Sequence, residues 1–137
     1  MKKVATIALT FAIIQSALAQ SSFLCISDAS TGFGYDQATR KWVAKRFNVD
    51  DHKFLLNKKD GSWQWTKFGE TYVTGKCSGD FNSNGFLDCE GFGEEIRLNK
   101  QTLRFQSIYN VGYVVAGLVK DDNGNTPYIE IGRCSPM

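Results

Sequence analysis

The residues of this chain that could do chemistry are few, and most crowd into one stretch, Thr71–Gly91. Within it runs Asp80-x-Asn82-x-Asn84-Gly85-x-x-Asp88. Oxygen-bearing side chains at alternate positions, with a glycine at the sixth for the sharp turn, are what a calcium loop requires. The twelfth position, where such a loop carries a bidentate Glu, is Gly91, and Glu90 stands one place early. Asn and Asp are equally the ordinary residues of a β-turn. The expectation is a plain hairpin turn, with Asp80, Asn82, Asn84 and Asp88 as the one candidate metal set and no other cofactor.

Catalytic signals are sparse. His52 is the single histidine, so no two-histidine metal site can form. There is no Gly-x-Ser-x-Gly elbow and no His-Glu-x-x-His helix. Glu94 and Glu95 are adjacent, and on a strand they point to opposite faces and cannot act as a pair. Carboxylates converging from distant segments would suit a small hydrolase. That is the alternative to the leading expectation, a protein without catalytic chemistry.

All four cysteines, Cys25, Cys77, Cys89 and Cys134, follow the first nineteen residues. Those nineteen read as a secretory signal peptide: Lys2 and Lys3, an apolar run over Ala5–Ile14, and Ala17-Leu18-Ala19 before the expected cut. The apolar run is too short to span a bilayer, and no membrane span is expected elsewhere. A periplasmic or secreted domain over residues 20–137 follows, and in an oxidising compartment four cysteines read as a disulfide framework. Cys77 and Cys89 flank the Asn84-Gly85 turn, so they are expected to pair. Cys25 and Cys134 then tie the two ends, which often lie close together at a domain surface.

With Lys2 and Lys3 removed, fourteen basic residues face fourteen acidic ones, so bulk charge offers nothing to nucleic acid. Charge is uneven locally: Arg40–Lys59 is basic and Asp80–Glu95 acidic, as a dipolar solvated surface would be.

The elements that must position these residues read as strands. Asp36–Arg40, Asp60-Gly61, Asn84-Gly85, Asn99–Gln101 and Asp121–Gly124 are turn signals between short segments rich in aromatic and β-branched residues. Tyr72–Thr74 and Tyr113–Val119 are among the segments expected to be strands. Trp63 and Trp65 alternate with Gln64, Leu103 and Phe105 with Arg104, and Ile129 and Ile131 with Glu130. No window shows a sustained helical period. The fold class is all-β, one small antiparallel barrel or sandwich of roughly eight to eleven strands, clamped by disulfides. The aromatics are numerous. Most belong in a core, and Trp42, Trp63, Trp65 and Tyr113 are the candidates for a binding surface or cavity.

Cys25, Thr31-Gly32-Phe33, Trp42, Phe47, Thr102–Phe105, Gly112-Tyr113-Val114 and the ending Pro127–Pro136 together resemble a group of small exported bacterial proteins of unknown function. The resemblance implies a class and no site residues. Gly61-Ser62-Trp63 resembles the Gly-x-Trp of lipocalins, though there it marks the first strand and here it lies mid-chain. It implies a carrier of a small apolar ligand, a further alternative. The leading expectation is an exported binding domain for an as yet unidentified protein partner, of inhibitor or immunity type.

Overall fold

The computed structural model describes residues 21–115 and 125–137. The expected leader and the turn at Asp121–Gly124 lie outside these residues. Nine strands follow in chain order: β1 Ser22–Asp36, β2 Lys41–Phe47, β3 Lys53–Lys59, β4 Ser62–Lys67, β5 Gly75–Cys77, β6 Phe86–Gly91, β7 Glu94–Asn99, β8 Arg104–Tyr109 and β9 Tyr128–Pro136. Each pairs antiparallel with its neighbour in the order β2-β1-β3-β4-β5-β6-β7-β8-β9, and β9 returns to pair with β1. The result is a closed eight-stranded barrel with β2 as one extra strand. Among the described residues there is no helix.

The long β1 makes this possible by serving two partners on the same edge. Its first half pairs with β3 (Ser22↔Asn57 to Ile26↔Lys53), and its second half pairs with β2 (Ser30↔Phe47 to Asp36↔Lys41). A bulge between Ser27 and Ala29 separates the halves. An extra residue in a strand of period two reverses which positions face inward. Phe23, Cys25 and Ser27 are buried before the bulge, Ser30 and Gly34 after it.

Two expected strands are corrected. Tyr72 and Val73 are exposed and unpaired, and only Gly75–Cys77 joins the sheet. Residues 68–74 connect β4 to β5, and Thr74 ties the end of that connection back to β4, receiving Lys67 N–H on its Oγ1 while its own N–H reaches the Trp65 carbonyl. Tyr113–Val115 form a turn rather than a strand start, with Val114 and Val115 N–H both directed to the Val111 carbonyl.

The interior is filled. Phe23, Leu56, Trp63, Trp65, Leu87, Ile96 and Leu98 are each 2% exposed or less, and Phe54 and Phe105 meet edge to face at 4.9 Å. Phe105 lies where a side chain at position 132 would stand: a Cβ on Gly132 would come within 2.5 Å of its ring. Cys25–Cys134 and Cys77–Cys89 are bonded as expected, each linking residues directly opposite across two strands. Two such disulfides are consistent with maturation in an oxidising, exported location.

Candidate functional site

The barrel interior changes character along its axis. At the end near the chain termini the inward residues are apolar, and Phe81 covers them, packing on Phe23 and Trp63. Toward the other end the same inward rows finish in polar side chains. On β7 the row Leu98, Ile96 ends in Glu94; on β8 Phe105 gives way to Ser107; on β9 Cys134 and Gly132 lead to Glu130. Strand period alone therefore carries Glu94 and Glu130 to one mouth, where they are 8% and 5% exposed.

Each carboxylate is held by a hydroxyl. Ser107 Oγ donates to Glu94 Oε1 at 2.6 Å, and Ser27 Oγ donates to Glu130 Oε1. Glu94 Oε2 also faces Lys67 Nζ at 3.4 Å, and His52 Nδ1 lies 2.7 Å from Glu130 Oε2. Because a carboxylate only accepts, His52 carries its proton on Nδ1 in this contact. Ser27, Glu130 and His52 do not form a nucleophile relay, which needs the imidazole between hydroxyl and carboxylate. Here the carboxylate is in the middle, so the contacts fix Glu130 in place.

Tyr128 completes the mouth. Its ring stacks on Tyr109, with centroids 5.7 Å apart. Burial first, and then the neighbouring Glu94 and Glu130 charges, push its phenol far above the ordinary tyrosine range. It stays a proton donor, hydrogen-bonded to Glu94, at any physiological pH. These groups open onto a cleft of about 220 Å³ whose apolar wall is Phe54, Trp65 and Phe68.

A second feature lies outside the barrel. Past Gly32, where β1 leaves β9, β1 and β2 run on as a two-stranded ribbon whose outward residues include Phe33, Tyr35 and Trp42. Trp42 meets Tyr35 at 5.8 Å and Tyr113 at 5.4 Å, both edge to face. Across the β1–β9 seam the outward face continues through Ile131 opposite Ala29 and Ile129 opposite Thr31. Phe33, Ile129, Ile131 and Tyr113 are between 48% and 60% exposed. Among the described residues β2 pairs only with β1, and none of them pairs with its other edge.

Of the four expected binding aromatics, Trp42 and Tyr113 are thus brought together at the surface. Trp63 and Trp65 are not there. They are core residues because both point inward from β4, with Trp65 forming one wall of the cleft and Trp63 giving its Nε1–H to Asp80 at 2.8 Å. The candidate calcium set is engaged by the chain itself. Asp80 accepts from Lys58, Trp63 and the Phe81 N–H, Asp88 accepts from Arg97, and Asn82 Oδ1 receives the N–H groups of Asn84 and Phe86. Asn84 projects from the loop tip. The loop is an Asn82-capped hairpin connection, and no group of three or more His, Cys, Asp or Glu that could hold a metal occurs among the described residues.

Sequence reasoning missed Glu130 and the inward role of Glu94. The signal for Glu130 was its even spacing from Cys134, which is buried on the same inward row. Comparison with protein-family models, with curated proteins and with solved structures finds no match to this chain.

Proposed function

We propose that this is a periplasmic or secreted, non-catalytic domain that binds a protein partner through the outer face of β9, β1 and β2. One observation carries the reading: a continuous exposed apolar face, Ile131, Ile129, Phe33 and the Trp42 cluster, ends at the edge of β2 left unpaired among the described residues. An open edge can accept an extended segment of another protein as a further strand. The edge carries Lys41, Lys45 and Arg46, with Arg40 in the adjoining turn. Like charges keep a second copy of the chain off this edge, the usual protection of an exposed strand. The partner that fits is a protein presenting an extended segment with both acidic and apolar side chains.

The test begins with capture on the immobilised mature protein, followed by binding measurements on the purified partner. Trp42→Ala is expected to weaken binding about thirtyfold, as central aromatic anchors do. Lys45→Glu with Arg46→Glu should slow association and remove its salt dependence. A partner that binds wild type and both surface variants alike would sink the proposal.

The hydrolase reading draws support from Glu94 and Glu130 sharing one cleft. Each carboxylate is already held by hydroxyls of its own chain, and about 220 Å³ is less than the roughly 300–1,000 Å³ of most ligand pockets. The binding reading is therefore preferred. Turnover of any glycoside or ester, abolished by Glu130→Gln, would reverse that order. The apolar carrier draws less support, because large side chains fill the barrel axis.

A further inference from the structure

We propose that the outer face of β7, β8 and β9 binds the phosphomonoester group of an organic phosphate through Arg97, Arg104 and Arg133. The inference is independent of the apolar-face reading.

Strand period places the three arginines. On β7 Glu94, Ile96 and Leu98 face inward, so Arg97 faces out. On β8 Phe105 and Ser107 face inward, leaving Arg104 and Gln106 outside, and on β9 Arg133 lies outside between Gly132 and Cys134. Register then gathers them. Arg104 stands directly opposite Arg133, and Arg97 directly opposite Gln106, two residues from Arg104. Directly opposed side chains start about 5 Å apart and diagonal ones roughly 7–8 Å apart, so three guanidinium groups reach one spot. They border a hollow of about 560 Å³, within the roughly 300–1,000 Å³ of most ligand pockets.

The charges suit an incoming anion better than they suit the sheet. Like charges directly opposed on neighbouring strands are destabilising. The Arg104 guanidinium makes no ion pair among the described residues that would offset its neighbour Arg133. The two carboxylates nearby leave much of their partners free. Arg97 Nε donates to Asp88, and Arg133 Nε lies 3.5 Å from Asp28. Both contacts use the nitrogen nearest the main chain, so the outer Nη edge of each guanidinium is left to a second acceptor. Both arginines are largely exposed, and ion pairs of this kind open at little cost. Arg97 also lies over the Phe86 ring, 5.8 Å from its centre, which steadies its direction.

The ligand follows from the donors. Guanidinium edges match phosphate oxygens two at a time, and a phosphomonoester carries nearly two charges at neutral pH. The phosphate occupies only part of the hollow. The remainder is bordered by Asn99, Thr102 and Gln106, which can pair with hydroxyls, and by Phe86 and Ile131, which suit the C–H face of a sugar ring. Free sugars and lipid headgroups both present such a group, and the test separates them.

The probe is glucose 1-phosphate, titrated calorimetrically at low ionic strength into the oxidised mature protein, with glucose and gluconate as controls. Saturable binding with a Kd of about 1 mM or below is expected, none for glucose, and about tenfold weaker binding for the singly charged gluconate. Arg104→Gln should weaken binding about tenfold, yet without ligand it should melt no lower than wild type, because it removes a repulsive cross-strand pair. A purely structural arginine would give the opposite pattern. Arg133→Gln should weaken binding similarly, and Trp42→Ala, on the ribbon, should leave it unchanged. Flotation with phosphatidylcholine vesicles containing phosphatidic acid identifies the source. Retention assigns the phosphomonoester to a lipid headgroup, and no retention beside glucose 1-phosphate binding assigns it to a free sugar phosphate. The proposal is overturned if neither the vesicles nor glucose 1-phosphate bind, the latter up to about 10 mM, where even millimolar affinity registers. Equal affinity for gluconate, or wild-type affinity in Arg104→Gln, would overturn it too.

Discussion

At Asp80 three donors meet one carboxylate: the Lys58 ammonium, the Trp63 indole N–H and the Phe81 backbone N–H. Lys58 contributes most, then Trp63, and together they draw the carboxyl from 3.8 to about 2. The folded value is below the unfolded one, so the interaction stabilises fully above pH ~4 and is lost as pH falls toward 2. The melting-temperature gap between wild type and Asp80→Asn should therefore be widest near neutrality and close on acidification through that window. A gap independent of pH would show that the charge has no part in it. The same contacts argue against an ion. A calcium site needs six to eight oxygens free to turn toward the metal, and here Asp80 and Asp88 already face cations of the chain. Millimolar calcium is expected to leave the melting temperature unchanged, and a rise of about four degrees lost in Asp80→Ala would reinstate the calcium loop.

Among the elements, the two tightest hairpins carry opposite lessons. β3 and β4 join at Asp60-Gly61, where both residues have positive φ, 51° and 81°. This is the turn that Asp-Gly announces, because both tolerate the left-handed region. β6 and β7 join the same way at Phe92-Gly93, φ 49° and 79°, although Phe is a poor choice there and its side chain is 78% exposed. Left-handed backbone costs an ordinary L-residue roughly 1–2 kcal/mol, and Asn less. Phe92→Asn should accordingly stabilise the domain by roughly 1 kcal/mol in denaturant unfolding. A loss instead would mean that the Phe92 ring makes a contact worth more than the backbone strain. Asn84-Gly85, the strongest hairpin signal in the sequence, serves a longer loop in which only Gly85 has positive φ, because the Asn82 side chain makes the turn. Strand positions were legible wherever turn chemistry was local. Facing was not. In Ile129-Glu130-Ile131 hydropathy puts the isoleucines inside, yet both are half exposed and Glu130 is buried. The bulge in β1 likewise turns Ser30 inward by an insertion that no residue type announces. Glu94 and Glu130 meet only once the barrel closes, so no window of sequence contains the site.

For the whole molecule, closure is the decisive event, and it falls to the first and last strands. β1 and β9 pair from Phe23↔Pro136 to Gly32↔Tyr128, a contact between residues about as far apart in sequence as the described chain allows. Cys25–Cys134 sits two residues in from the Phe23↔Pro136 end of that seam with a sequence separation of 109, whereas Cys77–Cys89 clamps a local hairpin with a separation of 12. If constraint of the unfolded chain dominates, the seam bond stabilises by about 5 kcal/mol and the hairpin bond by about 3. Typical domain stabilities are only about 5–15 kcal/mol, so the seam bond is a large share of the total. The mouth depends on the same closure, because Ser27 comes from β1 and Glu130 from β9. Replacing Cys25 and Cys134 together by Ala should therefore lower the unfolding free energy by about 2 kcal/mol more than replacing Cys77 and Cys89, measured in guanidinium at equilibrium. Equal losses from the two pairs would place the stabilisation in local packing around each sulfur rather than in the joining of the chain ends.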